Sequence, residues 1–198
     1  MATFLTHPLF GAGAAYVISH PHKPTKKFVL LSTLCQWLPD IDTVAYLFPI
    51  SERHALGHRG LAHSGLFAVF VALLMMRFCY REVPRGSGHW WALCGWFWVM
   101  TLLHGIFDAM VDSSLGVAFF WPFTSVRYNL PWQPLIDVPI VFSALYGSQF
   151  WYAVLVECQF FSLLLVSLFV LMRVLEPAMR RSPSPFLSST VATATKQS

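Results

Sequence analysis

The sequence GHRGLAHS at residues 57–64 places His58, Arg59 and His63 between two strongly apolar segments. Charged and ionisable side chains are costly to place near the centre of a lipid bilayer, so those found there usually mark functional sites. More ionisable residues stand inside the apolar segments on either side of this stretch. The pattern predicts that the chain brings them together at one site within a membrane protein.

The composition is typical of a membrane protein. Of the 198 residues, 56% are apolar and 11% are charged, whereas about 25% are charged in soluble domains. The net charge is +4, and the lysines and arginines stand mainly in short loops. This distribution favours membrane lipids over nucleic acid as a partner. The four cysteines show no C-x-x-C spacing, so we expect packing thiols.

The apolar segments predict an all-α fold, a polytopic membrane bundle with four or five membrane segments. The second segment contains Pro39-Asp40-Ile41-Asp42, and a break at Pro39 is expected because a straight span would place two carboxylates in its middle. A short helix over 135–146 is a further expectation. The segments are Phe4–Ser19, Phe28–Ile50, Leu61–Met76, His89–Val111 and Phe150–Met172.

Two regions outside these segments have a different composition. Residues 112–134 mix aromatic residues with prolines, which indicates a loop at the membrane interface that covers the site. The end of the chain is rich in Ser, Thr, Ala and Pro without apolar periodicity. We therefore expect a membrane-embedded domain over residues 1–176 and a disordered cytoplasmic tail over residues 177–198.

The basic residues predict an orientation in a bacterial inner membrane. They cluster at residues 23–27, 77–85 and 173–181, and by the positive-inside rule these loops are cytoplasmic. At 1.5 Å per residue, Asp40 lies about 18 Å beyond the first basic loop, and His104 about 22 Å beyond the start of its helix. The ionisable residues are therefore expected at a similar depth, toward the periplasmic side.

His104 and Asp108 are four residues apart, which places them on one helix face, where both can reach one divalent ion. One or both of His58 and His63 can complete the coordination sphere. A mixed set of histidines and carboxylates with an open position is typical of a catalytic zinc or manganese site.

Two aspartates and an arginine extend this set. Asp40 and Asp42 would point the same way in an extended segment, where they could share or bridge metal ions. Asp40 could instead only cap the broken helix. Arg59 could hold an anionic group, because its guanidinium matches the geometry of phosphate. His7 taken alone is more often a packing residue than a ligand.

The ordered motifs at residues 39–42 and 57–64, the His104–Asp108 pair, and then Gly116 and Trp121-Pro122-Phe123 resemble the YdjM-like family of bacterial membrane-bound metal-dependent hydrolases, some of them described as LexA-regulated. The resemblance extends from His7 to about Phe123. It implies a metal site that draws on seven residues: His7, Asp40, Asp42, His58, His63, His104 and Asp108.

The match to the family pattern has two departures. Thr43 stands where relatives often have a histidine, and Ala62 stands where they often have a threonine. Thr43 removes a possible extra ligand, so a full multinuclear cluster is not implied. A more remote similarity to zinc-dependent phospholipase C and related nucleases points to a phosphoester substrate.

The expected function is hydrolysis of a phosphoester in a lipid or lipid-linked substrate at the outer leaflet, with zinc, or alternatively manganese, as one or more bound ions. Asp40, His58 or His63, His104 and Asp108 would bind the principal ion, while His7 and Asp42 would bind a second ion or orient water. Asp42 and Arg59 are the expected catalytic residues, with Arg59 positioning the phosphate.

Two other classes of function use the same residues. Intramembrane aspartates and histidines also serve in transporters and in proton or metal relays. A metal-stabilised scaffold without turnover is the third possibility, and it would have a closed tetrahedral site.

Overall fold

The computed structural model describes residues 3–113, 115–138 and 145–179. Its five α-helices are α1 (Thr6–Ser19), α2 (Lys26–Trp37), α3 (Gly65–Cys79), α4 (Gly88–Ala109) and α5 (Ser148–Met179). Two 3-10 helices, Leu38–Leu47 and Leu61–His63, lie between α2 and α3. In these ranges two isolated bridges, Val111 to Leu135 and Val117 to Tyr128, are the only β-type pairings. The all-α prediction is confirmed.

Three helices begin at a hydroxyl side chain that caps their first turn. Such a residue accepts a hydrogen bond from a backbone N–H that has no partner within the helix. This explains why α2, α3 and α4 start directly after polar or glycine-containing loops. The pairs are Thr25 with Phe28 N, Ser64 with Phe67 N, and Ser87 with Trp90 N.

The predicted break at Pro39 is confirmed. The α-helical backbone of α2 ends at Trp37, and residues 38–47 continue as a 3-10 helix, since proline lacks the N–H that an α-helix interior requires. The expectation that Asp40 and Asp42 lie in an extended segment is wrong, because both stand in this 3-10 helix. It repeats every three residues, and it buries Asp40 while leaving Ile41 exposed.

Two helices, α4 and α5, are long and apolar enough to cross a membrane, among the residues that the structure describes. Helices α1, α2 and α3 have 14, 12 and 15 residues, so they extend about 18–22 Å. A hydrocarbon core is about 30 Å thick. The four or five crossings expected from the sequence therefore remain a prediction.

Helix α1 packs between α2 and α5, and α4 packs between α2 and α3. The approach of α1 to α2 is close at Gly11, where an added Cβ would lie 2.6 Å from Ser32 O. Small residues allow such close contacts between helices in membranes. This packing brings the start of α1 and the end of α4 to the same side of the molecule as the two 3-10 helices.

A buried glutamate fastens α5 to the start of α1. Glu157 is 0% exposed and accepts hydrogen bonds from Thr3 N, at 2.8 Å, and from the hydroxyls of Thr3 and Thr6. It stands in the middle of a long apolar segment, and the sequence analysis did not single it out.

The prediction of a short helix over 135–146 is wrong for its first residues. Residues 136–138 have no regular secondary structure, and Leu135 pairs with Val111. Residues 139–144 lie outside the described part of the chain, as does the expected tail from residue 180 onward.

We predict that Gly11→Ala lowers the unfolding free energy by about 1–3 kcal/mol, because the new methyl group overpacks the contact between α1 and α2. The matched control is Gly95→Ala in α4, where an added Cβ meets nothing within 4 Å. The control should be neutral or stabilising by up to about 1 kcal/mol, since alanine has the higher helix propensity. Thermal unfolding in detergent, with equal melting temperatures for both variants, would contradict the close contact.

Candidate metal centre

Four buried side chains converge between the two 3-10 helices and α4. His63 Nε2 lies 3.2 Å from His104 Nε2 and 3.2 Å from Asp108 Oδ2. His104 Nε2 lies 3.4 Å from Asp40 Oδ1. One ligand atom from each of the four residues lies within 4.8 Å of all the others. The spacing allows one metal ion to contact all four.

The orientation of His104 is set by α2. Its Nδ1 lies 2.8 Å from Gln36 O, and because a carbonyl only accepts, Nδ1 is the donor and Nε2 faces the cluster. The Gln36 side chain in turn donates from Nε2 to Met100 O at 2.7 Å. The sequence analysis missed Gln36, although a polar residue within an apolar helix was a visible signal.

Asp42 positions the other two histidines. Its Oδ1 accepts from His58 Nδ1 at 2.7 Å, and its Oδ2 lies 3.0 Å from His63 Nδ1. Asp42 Oδ2 also accepts from Arg59 N at 3.1 Å. A carboxylate that holds the far ring nitrogen of a histidine is the usual second partner of a metal-binding histidine. His58 and His63 both direct Nε2 toward Asp108, at 3.9 and 3.2 Å from its Oδ2.

Asp42, His58 and His63 form a second group whose ligand atoms lie within 4.8 Å of one another. The two groups share His63. Asp42 therefore has two possible roles, orienting the imidazoles or binding an ion directly, and the geometry accommodates each.

The charges of the site favour a cation. Asp42 lies 2.7 Å from His58 Nδ1 and 3.0 Å from His63 Nδ1, and Asp108 Oδ2 lies 3.2 Å from His63 Nε2. Carboxylates this close to imidazoles stabilise a positive charge among them, and a metal cation bound by the same groups would supply one.

Several buried atoms of the site lack a hydrogen bond to any described residue. They are both oxygens of Asp40, Oδ1 of Asp108, Nε2 of His58, and Nδ1 of His63, whose 3.0 Å contact with Asp42 lacks hydrogen-bond geometry. Buried polar atoms are rarely left without a partner, and imidazole nitrogens with carboxylate oxygens are a ligand set that suits zinc or manganese. The residues present thus fit a divalent metal ion.

His7 and Arg59 lie beside this cluster. His7 is 1% exposed, and its Nε2 lies 3.9 Å from Asp108 Oδ1. Neither ring nitrogen has a hydrogen bond within residues 3–113, 115–138 and 145–179. Arg59 is also 1% exposed and donates from Nε to Asp108 Oδ2 at 3.2 Å. Both Nη atoms of Arg59 are buried and lack a partner among the described residues, so their hydrogen-bonding capacity is unused there.

The backbone around Arg59 is unusual. Arg59 has φ +60°, a left-handed conformation that non-glycine residues rarely adopt and that often occurs at functional sites. An added Cβ on Gly60 would lie 2.3 Å from Ala55 O, so only glycine fits. The tightly folded loop is what directs the Arg59 side chain inward.

The loop over residues 112–134 packs on this turn, as the sequence analysis expected of a covering segment. Ala118 N donates to Arg59 O at 3.0 Å. Arg127, which the sequence analysis missed, donates from Nη1 to His58 O at 3.0 Å and from Nη2 to Glu52 O at 2.7 Å. All of its hydrogen bonds within the described part of the chain go to backbone carbonyls, three of them in residues 52–58 and one at Gly116 within its own loop, and no sequence pattern reveals the three distant ones.

All seven candidate metal-site residues therefore lie in or beside one buried cluster. Thr43 is directed elsewhere, since its hydroxyl donates to Asp40 O at 2.8 Å. His54 Nδ1 accepts from Leu56 N at 3.1 Å within the loop, and His89 stands at the other end of α4.

Together the fold and the site define a helical membrane protein with a buried histidine–aspartate centre that could hold a metal ion. The chain belongs to the YdjM inner membrane protein family, whose model matches residues 1–179. It is similar to the inner membrane protein YbcI of Escherichia coli strain K12, with 29% identity over 156 residues, which cover 75% of this chain and 86% of the relative. No solved structure matches the chain.

We predict that the purified protein binds zinc or manganese, and that His104→Ala and Asp108→Ala lose most of it, because each substitution removes a converging ligand atom. Asp42→Asn should retain the site with about 10–100-fold weaker affinity if Asp42 acts by orienting imidazoles. Elemental analysis after dialysis against graded chelator concentrations measures both effects. The control is His89→Ala, which removes a histidine from the same helix. Stoichiometric metal in both alanine variants would rule out this centre.

Proposed function

We propose that the protein is a membrane-bound metal-dependent hydrolase that cleaves a phosphoester of a lipid or lipid-linked substrate. The observation that carries this proposal is the position of Arg59. Its guanidinium lies beside the His/Asp cluster and donates a hydrogen bond to Asp108 through Nε, while both Nη atoms lack a partner in the part of the chain that the structure describes. A metal site next to a guanidinium with two unpaired Nη atoms has the groups needed to bind and activate a phosphate.

The cluster contains the donor atoms for at least one ion, which we propose is zinc, with manganese as the alternative. A divalent ion held by Asp40, His63, His104 and Asp108 would supply Lewis-acid polarisation of a phosphoryl oxygen and a water of lowered pKa. Asp42 and Gln36 hold the imidazole rings in place, which limits the reorganisation needed for binding.

Arg59 would bind the phosphate through Nη1 and Nη2. A guanidinium donates two parallel hydrogen bonds to phosphate oxygens, which fixes their orientation as well as their charge. The hydrogen bond from Nε to Asp108 fixes the orientation of the guanidinium relative to the metal centre. Lysine would keep the charge but lose the two-pronged geometry.

A lipid substrate is supported by the surface next to the site. Ile41, Val44 and Leu47 repeat every three residues along the first 3-10 helix, and they are 61%, 49% and 80% exposed. That spacing places them on one face. Asp40 and Asp42 stand on the same 3-10 helix, and their side chains are directed into the cluster. The exposed apolar face of this helix is therefore separated from the metal centre only by the width of the helix.

We predict that Arg59→Lys lowers kcat/KM for phosphoester hydrolysis by about 10²-fold, the usual cost of losing one preorganised donor to the developing charge. The measurement is headgroup release from defined phospholipids by the protein loaded with zinc or manganese, followed by mass spectrometry. The control is Arg53→Lys, an exposed arginine in the neighbouring loop.

Transport of protons or metal ions is the competing function. Metal-dependent or pH-dependent flux in proteoliposomes, without release of phosphate or headgroup by the same preparation, would replace the hydrolase proposal. Metal binding at the centre with neither flux nor hydrolysis, and unfolding upon chelation, would identify a structural metal site instead.

We further propose that the basic loops at residues 23–27 and 77–85 face the cytoplasm, which places the metal centre toward the periplasm. In a background with Cys79 and Cys158 replaced by alanine, an impermeant thiol reagent added to intact spheroplasts should label Ser51→Cys and leave Arg85→Cys unlabelled. Labelling of position 85 alone would reverse the orientation without affecting the site.

A further inference from the structure

A cavity lies at the other end of α3 and α4, away from the metal centre. It has a volume of about 570 Å³ and extends from the last turns of α3 to the beginning of α4. Three of its lining residues are arginines, namely Arg77, Arg81 and Arg85. The function proposed above makes no use of this cavity.

Arg77, Arg81 and Arg85 have no carboxylate partner in the part of the chain that the structure describes. No carboxylate lies within 4.0 Å of them among the described residues. The nearby Glu82 pairs with Lys27 at 3.1 Å, and a hydrogen bond to its own backbone together with Lys27 lowers its pKa. Glu82 is thus ionised and already matched, so the cavity keeps an excess of positive charge.

The rest of the lining is apolar or aromatic. Leu73 and Met76 line the part that lies within α3, and Tyr80, Val83 and Trp90 complete it. Tryptophan and tyrosine are enriched at the level of lipid headgroups. A cavity with a cationic rim and an apolar wall suits a ligand with an anionic head and a hydrocarbon chain.

We propose that this cavity binds the phosphate group of an anionic phospholipid, with Arg77, Arg81 and Arg85 contacting the headgroup and Leu73 and Met76 the start of an acyl chain. Basic pockets between membrane helices are favourable sites for anionic lipid headgroups. Guanidinium groups are well suited to phosphate because they donate paired, charge-assisted hydrogen bonds. The site would anchor the α3–α4 end of the bundle to the lipid surface.

The test is native mass spectrometry of the full chain in detergent, titrated with phosphatidylglycerol or with phosphatidylcholine of the same acyl chains. We expect tighter binding of phosphatidylglycerol by the wild type. Each of Arg77→Gln and Arg85→Gln should weaken that binding by about fivefold, and the double variant by about 25-fold. Phosphatidylcholine binding should be unchanged.

The matched control is Arg53→Gln, which removes the same charge from an exposed loop between the two 3-10 helices and should leave phosphatidylglycerol binding unchanged. Soluble glycerol phosphate, titrated separately, distinguishes the source of the anion. Arginine-dependent binding of glycerol phosphate as tight as that of the lipid would assign the site to a soluble phosphate ester. Equal binding of both lipids by the wild type, or equal losses in Arg53→Gln and Arg85→Gln, would overturn the proposal.

Discussion

The carboxylate of Asp42 lies against the Nδ1 atoms of both His58 and His63, and this arrangement organises the centre of the molecule. These contacts join Asp42, in the first 3-10 helix, to His58 and His63, which come after the loop over residues 48–57. His58 is hydrogen-bonded through Nδ1 and His63 is in contact through Nδ1, so both rings present Nε2 to the space around Asp108. The same carboxylate also accepts from Arg59 N, so one side chain fixes two candidate ligands and the turn that directs the arginine inward.

The fold can be understood as the support for this contact. The short helices α1 and α2 pack closely through Gly11, which brings His7 and Gln36 to the cluster from one side. Helix α4 supplies His104 and Asp108 from the other side, and Glu157 holds α5 against the start of α1. The loop over residues 112–134 then closes over the turn at Arg59. Buried ionisable groups of this number are tolerated only when they pair with one another or coordinate a metal ion.

The two ends of α3 and α4 carry opposite kinds of site. At one end, carboxylates exceed the paired cations and the centre fits a metal ion. At the other end, arginines exceed the paired carboxylates and the cavity fits an anion. The two ends of the molecule therefore differ in the sign of their unpaired charge. Membrane proteins commonly show such an asymmetry in the distribution of their basic loops.

The sequence by itself determined the class of fold, the break at Pro39 and the residue types of the centre. These follow from local properties: apolar segments predict helices, proline ends an α-helix, and ionisable residues in apolar surroundings indicate a site. The resemblance to the YdjM-like family, carried by motifs in a fixed order, agreed with the family model. What only the tertiary structure decided was which atoms face one another. Asp40 and Asp42 serve different partners because a 3-10 helix turns them apart, whereas an extended strand would have kept them together. Gln36, Arg127 and Glu157 act through contacts between residues that are 64 to 154 positions apart, and no local pattern encodes such contacts.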